Sequence, residues 1–319
     1  MLLYLTCGGI LVTMALSLVA ETEPSAANEF RHESFIYRKW VSEKQNPETV
    51  IIALHGFNGS AHDYQNLASH LVEHQPKTAL YAYEIRGQGR HPNEDQRGDI
   101  ENAEQWSQDL MDFTAFVKSQ HPKTPIVWFG ESMGALIIAQ TYHRETSRDH
   151  EAPCHAIGLS SPVVKIHDKL PEWKIQSILK LSKLTPTTRI SLSDLIGDFV
   201  IPMTHQSNQQ ADSTTPNSWS VKTYTLRHLA ALANMIDAMP QYALSIDVPT
   251  LVLHGGRDFF GPKEAIDQFL KKLKNVPATT REFYPEGHHL LMYDRVKEHV
   301  IQDVEQWLAK LNAAGKLAN

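Results

Sequence analysis

A serine lies between two glycines in the segment Gly-Glu-Ser-Met-Gly at residues 130–134. The apolar segment 125–129 precedes this motif, and a pattern typical of an apolar helix follows it over 133–142. Between a strand and a helix, such a motif exposes the serine on a tight turn, where the free N–H groups of the helix N-terminus can face a developing negative charge. The pattern therefore predicts Ser132 as a nucleophile, against the alternative of a serine that only shapes a turn.

Two later loops offer the partners that a nucleophilic serine needs, which are an acid and a histidine base. In a sheet enzyme with this motif, the acid and then the base follow the serine along the chain, each on a loop after a strand. Asp258 ends a Gly-rich turn behind the apolar segment 251–253, which makes it the candidate acid. His288 and His289 follow Gly287 in the next such loop, and either of them could serve as the base.

A further loop, at residues 55–60, follows the apolar segment 49–54. Its position suits an oxyanion hole in which the backbone N–H of Phe57 joins that of Met133. His55 opens this loop, and a histidine at such a position more often packs beside the loop than takes part in catalysis. We therefore expect a structural role for His55.

Short apolar segments alternate with helical patterns along most of the chain. Segments that are apolar throughout are typical of strands buried on both faces of a parallel sheet. The predicted strands cover residues 49–54, 80–85, 125–129, 156–159, 250–253 and 279–284. The predicted helices cover residues 100–120, 133–142 and 263–273, followed by a C-terminal apolar stripe from Val296 to Leu311. Strands that alternate with helices predict a three-layer α/β domain.

The alternation is interrupted at about residues 162–239. Helical patterns over 173–184 and 224–238 flank a polar loop at 205–217, and no convincing core strand lies between them. The stretch is therefore predicted as an insertion between two strands of the sheet.

The first part of this insertion, at residues 165–190, is both basic and apolar. It carries six Lys or Arg against two Asp or Glu, a net charge of +4, interleaved with leucine, isoleucine and tryptophan. This composition predicts a lid over an acyl-chain pocket that could also rest on a lipid surface, with Trp173, Ile178 and Leu179 as candidate substrate contacts. The alternative is a helix whose apolar residues only seal it to the core while its lysines are solvated.

Together these motifs resemble the monoacylglycerol lipase and lysophospholipase-like group of α/β-hydrolases, which includes enzymes labelled serine aminopeptidases. The resemblance extends over about residues 35–311 and includes the His-Gly loop, a Glu-x-Arg-Gly-x-Gly motif at 84–89 and the three motifs described above. It implies the α/β-hydrolase fold, a mostly parallel central sheet flanked by helices, with the insertion as a helical cap. It also implies Ser132 as the nucleophile, Asp258 as the orienting acid and His289 as the base.

The resemblance distinguishes between the two adjacent histidines. In the family pattern Tyr-Pro-x-Gly-x-His, the base is the fifth residue after the aromatic one, and counting from Tyr284 gives His289 and not His288. Two positions depart from the family pattern, because Glu84 stands where an Asp is usual and Arg90 where a small residue is usual. Neither belongs to the triad, but both are expected to alter the packing of their loop.

The function implied is that of a serine hydrolase that cleaves carboxylic esters through a Ser-His-Asp triad and an acyl-enzyme. Monoacylglycerols, lysophospholipids or similar acyl esters are the expected substrates. Two alternatives stay open, an aminopeptidase or other amide hydrolase on the same fold and a non-catalytic lipid-binding protein. The chemistry needs no metal and no organic cofactor. His70 and His74 have helical spacing without a third ligand, so a solvated helix face is preferred over a metal site.

The composition narrows the range of partners. The 319 residues carry a net charge of −6 and the isoelectric point is about 6.3, which argues against a nucleic-acid partner. Two cysteines exclude a disulfide framework, and a mean hydropathy of −0.33 excludes a protein with many membrane spans. A small acyl ester or lipid remains the expected partner, with peripheral membrane contact through the cap.

The N-terminal segment differs from the rest of the chain. Residues 1–20 contain no charged side chain, and the first basic residue is Arg31. The segment 1–27 is predicted as a signal peptide or membrane anchor ahead of a hydrolase domain at 28–319, so the protein is expected to be exported or membrane-anchored. A buried N-terminal helix or a wrongly assigned start are the alternatives, and they would leave the protein cytoplasmic.

Overall fold

The computed structural model describes residues 29–148, 151–165, 171–191, 194, 202–205 and 221–317. The predicted leader at 1–27 and residues 206–217 of the predicted polar loop lie outside these ranges. Among the helices of the described ranges, none combines the length and the apolar character that a membrane span requires.

The described strands form a large central sheet and a small second sheet. They are β1 Glu29–His32, β2 Phe35–Trp40, β3 Thr49–Leu54, β4 Thr78–Tyr83, β5 Ile126–Glu131, β6 Ala156–Ser160, β7 Arg189–Ser191, β8 Thr223–Thr225, β9 Thr250–Gly255 and β10 Thr279–Tyr284. The central sheet has eight strands in the order β1-β2-β4-β3-β5-β6-β9-β10. Only the β1–β2 and β2–β4 pairs of this sheet are antiparallel, and the other pairs are parallel. The predicted, mostly parallel central sheet is therefore confirmed.

Helices cover both faces of this sheet. They are α1 Gln65–His74, α2 Glu104–Gln120, α3 Met133–Thr146, α4 Glu172–Leu184, α5 Leu226–Ser245, α6 Lys263–Leu270 and α7 Lys297–Ala313. Adjacent residues of β3 point to opposite faces, as the pleat of a strand requires. Ile52 packs with residues of α2, α3 and α5, whereas Ile51 packs with residues of α1 and α7. All six residues of β3 are buried, which explains why its sequence is apolar throughout.

The sequence patterns located most core strands but missed the antiparallel edge of the sheet. The predicted strand over 49–54 is confirmed, and the one predicted over 80–85 begins two residues earlier, at Thr78. Strand β2 was missed because Arg38 and Lys39 interrupt its apolar residues, although Arg38 is buried. Helix α5 also extends beyond its predicted end at residue 238. Proline usually ends helices, but this helix continues through Pro240 to Ser245.

The segment between β6 and β9 contains α4, the two-stranded antiparallel sheet of β7 and β8, and α5. The sequence did not predict this small sheet, whose strands have three residues each. Helix α4 has no fully buried residue, whereas α5 packs closely against α3. The assignment of this segment as a cap remains a prediction.

Candidate active site

Ser132 lies at the turn between β5 and α3. Its backbone has φ 53° and ψ −113°, a left-handed conformation that costs on the order of 1–3 kcal/mol in a non-glycine residue. The two glycines of the motif allow this turn to pack. A Cβ at Gly130 would lie 2.4 Å from the carbonyl carbon of Gly134, and a Cβ at Gly134 would lie 2.1 Å from the carbonyl oxygen of Leu54. Helix α3 can therefore approach β3 only with glycine at position 134.

Three side chains from separate loops form one hydrogen-bonded chain. The hydroxyl of Ser132 donates to Nε2 of His289 over 2.8 Å. Nδ1–H of His289 donates to Asp258, with 2.9 Å to Oδ1 and 3.0 Å to Oδ2. All three residues are buried. The Asp258 carboxylate accepts the hydrogen bond from Nδ1–H of His289. The neutral ring therefore has its lone pair on Nε2, directed at the serine.

The environment of His289 acts on its pKa in two directions. Burial lowers the pKa, because the charged ring loses its hydration. The charge and the hydrogen bond of the facing Asp258 carboxylate raise the pKa, as does the charge of Glu131, and together they outweigh burial. The net pKa of His289 is therefore raised above 6.5.

The adjacent His288 is directed at a different carboxylate. Its Nδ1 lies 2.9 Å from Oδ2 of Asp294, and its backbone N–H donates to the same oxygen over 2.6 Å. The structure thus brings His289 to Ser132 and pairs His288 with Asp294.

The loop after β3 lies directly against Ser132. A Cβ at Gly56 would lie 3.3 Å from Cβ of Ser132. The carbonyl oxygen of Gly56 accepts hydrogen bonds from Nδ1–H of His55 over 2.8 Å and from the N–H of Gly59 over 3.1 Å. The N–H of Phe57 belongs to the same peptide unit, so it points away from that anchored carbonyl.

Within the described ranges, neither the N–H of Phe57 nor that of Met133 donates to a protein acceptor. Both therefore remain available to a bound group, and their role as oxyanion donors stays a prediction.

His55 holds this loop and does not reach the serine. The backbone N–H of Ile85 donates to its Nε2 over 3.0 Å, which leaves the proton of the neutral ring on Nδ1. Burial lowers the pKa of His55 to about 4, so the ring is neutral at physiological pH. Both ring nitrogens serve the backbone, in agreement with the expected structural role.

Glu84 connects two loops beside the site. From the sequence, this residue was recognised only as a departure from the family pattern. Its Oε1 accepts from the N–H of Ala61 over 3.2 Å, and its Oε2 accepts from the N–H of Arg90 over 3.3 Å. Burial raises the pKa of Glu84 to about 7. The longer side chain at this position thus links the loop after β3 to the loop after β4.

The three candidate substrate contacts on α4 differ in position. Ile178 packs against a small cluster of Val221, Tyr224 and Leu229, which Phe57 also contacts. Leu179 is half-buried. Trp173 is 66% exposed, so the structure does not bring its side chain to the site.

The sequence of the chain is similar to that of a known family and to that of a named enzyme. The sequence profile of the family described as serine aminopeptidase, S33, matches residues 45–296. The chain is also 23% identical over 285 residues to a monoacylglycerol lipase of Mycolicibacterium smegmatis, covering 86% of this chain and 92% of that protein.

Two solved structures have the same fold. One is a monoacylglycerol lipase of Paleococcus ferrophilus, with a TM-score of 0.70, 18% identity, and coverage of 86% of this chain and 98% of that one. The other is a soluble variant of monoglyceride lipase from Saccharomyces cerevisiae in complex with a substrate analogue, with a TM-score of 0.73, 18% identity, and coverage of 88% and 93%. Because the family profile spans most of the chain and the sheet has the fold of these neighbours, the chain belongs to the serine aminopeptidase S33 family of α/β-hydrolases.

Proposed function

We propose that the chain hydrolyses carboxylic esters through an acyl-enzyme on Ser132. The observation that carries this proposal is the hydrogen-bonded chain from Ser132 Oγ through His289 to Asp258, with distances of 2.8 Å and 2.9 Å. Such a chain lets the histidine take the serine proton while the carboxylate stabilises the charged ring.

The reaction has two stages. In the first, His289 removes the proton from Ser132 Oγ, and the oxygen attacks the ester carbonyl to form a tetrahedral intermediate. The N–H groups of Phe57 and Met133 stabilise its negative oxygen, and the protonated His289 gives its proton to the leaving alcohol as the C–O bond breaks. In the second, His289 removes a proton from water, which attacks the acyl group and releases the carboxylic acid together with Ser132.

Acyl esters with a lipid chain, such as monoacylglycerols or lysophospholipids, are the proposed substrates. The relatives named monoacylglycerol or monoglyceride lipases support this class. The apolar cluster next to Phe57 also supports it, because Ile178 and Tyr224 there form an apolar boundary beside the proposed oxyanion donor. We propose that α4, as part of the predicted cap, contributes Ile178 and Leu179 to the acyl pocket.

The outer face of α4 supports peripheral contact with a lipid surface. Trp173, Leu181 and Leu184 are exposed by 66%, 46% and 77%. Lys180 and Lys183 are exposed on the same helix. Exposed aromatic and leucine side chains beside lysines are typical of helices that rest on anionic lipid.

The test is the Ser132→Ala variant, assayed with p-nitrophenyl butyrate and with a fluorophosphonate probe. We expect kcat to fall by about 10³-fold or more and labelling to disappear, because the attacking oxygen is removed. Ser107→Ala is the matched control, since Ser107 is also buried but lies on α2. Retained hydrolysis or retained labelling in Ser132→Ala would refute the proposal.

Amide hydrolysis is the second candidate, because the family description names an aminopeptidase. An aminopeptidase needs an anionic pocket for the free α-amino group, whereas residues 165–190 carry a net charge of +4. Comparing kcat/KM for acyl esters and for aminoacyl amides distinguishes the two functions.

A further inference from the structure

Gln88 lies in the loop after β4 and connects three parts of the molecule through its amide group. The side chain is fully buried. Its Oε1 accepts from the backbone N–H of Asn58 over 2.8 Å and from the hydroxyl of Tyr224 over 3.3 Å. Its Nε2 donates to Nε2 of His228 over 2.9 Å. One amide thus joins the loop that carries Phe57 to β8 and to the start of α5.

The orientation of this amide follows from the backbone N–H of Asn58, which can only donate. The amide oxygen of Gln88 must therefore face Asn58, which leaves the amide nitrogen for the ring of His228. Burial lowers the pKa of His228 to about 3, so its ring is neutral, and Nε2 accepts when the ring proton is on Nδ1. The opposite orientation would place two acceptors against each other at His228 and two donors against each other at Asn58.

The segment 221–228 makes two further contacts with the same loop. The ring of Tyr224 stacks on the ring of Phe57 with 4.4 Å between centroids. The N–H of Val221 donates to Oδ1 of Asn58 over 2.7 Å. Asn58 itself has a left-handed φ of 59°, a conformation that asparagine tolerates better than most residues. The loop therefore turns sharply where segment 221–228 contacts it.

Both peptide units that flank Phe57 are anchored. The carbonyl of Gly56 on one side is fixed by His55 and Gly59, over 2.8 Å and 3.1 Å. The N–H of Asn58 on the other side is fixed by Gln88. With both neighbours fixed, the direction of the Phe57 N–H is determined before any substrate binds. Oxyanion donors are effective because they are held in place in advance.

We propose that Gln88 is a positioning residue that couples the docking of segment 221–228 to the orientation of the Phe57 N–H. The inference rests on the proposed function, because it needs Phe57 as an oxyanion donor. It adds that the inserted segment does more than cover the acyl chain: through Gln88 it holds part of the catalytic loop. Loss of the bridge leaves the triad intact and lets the Asn58 peptide turn.

The test is Gln88→Leu, which keeps the bulk of the side chain and removes its hydrogen bonds. With p-nitrophenyl butyrate, we expect kcat to fall by about 10- to 100-fold with little change in KM, because misplacing an oxyanion donor affects the transition state more than substrate binding. The inhibition constant of an alkyl trifluoromethyl ketone, which forms a tetrahedral adduct with the serine, should rise by a similar factor. A merely structural role would not make these two quantities change in parallel.

The matched control is Gln140→Leu. Gln140 is also buried, and its amide donates to Ala103 and Ser107 on the α2 side of α3, away from the loop of Phe57. We expect its kcat and inhibition constant to stay within about twofold of wild type. The inference is overturned if Gln140→Leu loses as much activity as Gln88→Leu.

Two milder variants keep the inference testable if Gln88→Leu does not fold. Asn58→Gly preserves the left-handed turn and removes the side-chain acceptor for the N–H of Val221, so kcat and inhibitor affinity should fall together by a smaller factor. Gln88→Glu restores the bridge when one proton is shared between its carboxyl group and the ring of His228, so it should retain more activity at pH 6 than Gln88→Leu.

Unchanged kcat in Gln88→Leu overturns the inference, as does a loss of kcat without loss of inhibitor affinity. If Gln88→Leu does not fold, an unchanged kcat and an unchanged inhibition constant in Asn58→Gly overturn the inference. Failure of the proposed function is recognised separately, by hydrolysis that persists in Ser132→Ala.

Discussion

Burial and the charges of nearby carboxylates shift the pKa of His289 in opposite directions. In the proposed mechanism the histidine must be neutral to accept the proton of Ser132, and its pKa is raised above 6.5 because Asp258 and Glu131 together outweigh burial. The protonated, inactive form therefore persists to a higher pH than for an ordinary histidine. We expect kcat/KM for p-nitrophenyl butyrate to increase with pH and to reach half its plateau above pH 6.5.

Two variants separate the causes of this shift, with the pKa of the His289 ring followed by NMR. Asp258→Asn removes the charge that raises the pKa and leaves burial, so the pKa should fall below that of the wild type. Glu286→Gln removes an exposed carboxylate three residues before His289, and solvent screening should leave the pKa unchanged. A half-maximum below pH 6.5 in the wild type, or equal shifts in both variants, would contradict this account.

At the same scale, the sequence predicts residues that lie in motifs and misses those that act through tertiary contacts. Ser132, Asp258 and His289 each follow a strand in a glycine-rich loop, and such loops meet at one edge of a parallel sheet. Gln88 carries no such signal, because its partners Asn58 and His228 are 30 and 140 residues away along the chain. Only the folded chain brings these three residues together.

At the scale of elements, burial decides which strands the sequence reveals. Strands β3 to β6 of the central sheet are buried on both faces, so their residues are apolar in sequence. The exposed residues of β10 alternate with less exposed ones, which made it a weaker signal. The close approach of α3 to β3 at Gly134 left a glycine in the motif but gave no sign of which strand it meets.

Helix α4 is the element whose sequence and exposure point to a lipid surface. We expect a Leu181→Ser, Leu184→Ser double variant to bind phosphatidylglycerol vesicles at least about tenfold more weakly, because it removes apolar surface that would enter the membrane. Hydrolysis of soluble p-nitrophenyl butyrate should be unchanged, since both leucines are exposed by 46% and 77% on the outer face. Vesicle sedimentation measures the binding.

Leu244→Ser is the matched control for this variant, because Leu244 is 43% exposed but lies on α5. Its binding to the same vesicles should equal that of the wild type. Binding of the wild type should also weaken in high salt, since the lysines of α4 attract anionic lipid. Undiminished binding of the double variant would exclude α4 as the contact.

At the scale of the whole molecule, the net charge conceals a local reversal. The chain has a net charge of −6, yet residues 165–190 have a net charge of +4. In the described part of that stretch, α4 presents exposed lysines and leucines, while Ile178 packs toward Phe57. The same helix thus has an outward basic and apolar face and an inward contact with the apolar cluster beside Phe57. The average charge is negative, whereas the local positive charge supports the proposed contact with lipid.

The N-terminal segment presents a similar contrast between a short stretch and the whole chain. We propose that residues 1–27 direct the protein to export or to a membrane, because residues 1–20 contain no charged side chain. The first strand of the described ranges begins at Glu29, and all three residues of the proposed triad lie beyond it. A chain that starts at Asn28 should therefore fold and hydrolyse p-nitrophenyl butyrate with unchanged kcat/KM.

The full-length protein, expressed in its own cells, should be recovered outside the cytosol or in the membrane fraction, as judged by fractionation with N-terminal sequencing. A cytosolic protein that still begins at Met1 would contradict the role of the segment. An aggregated product from the chain that starts at Asn28 would instead contradict the domain boundary, because it would show that residues 1–27 are needed for folding. The two measurements therefore distinguish a segment that directs the protein to its location from a segment that the domain needs in order to fold.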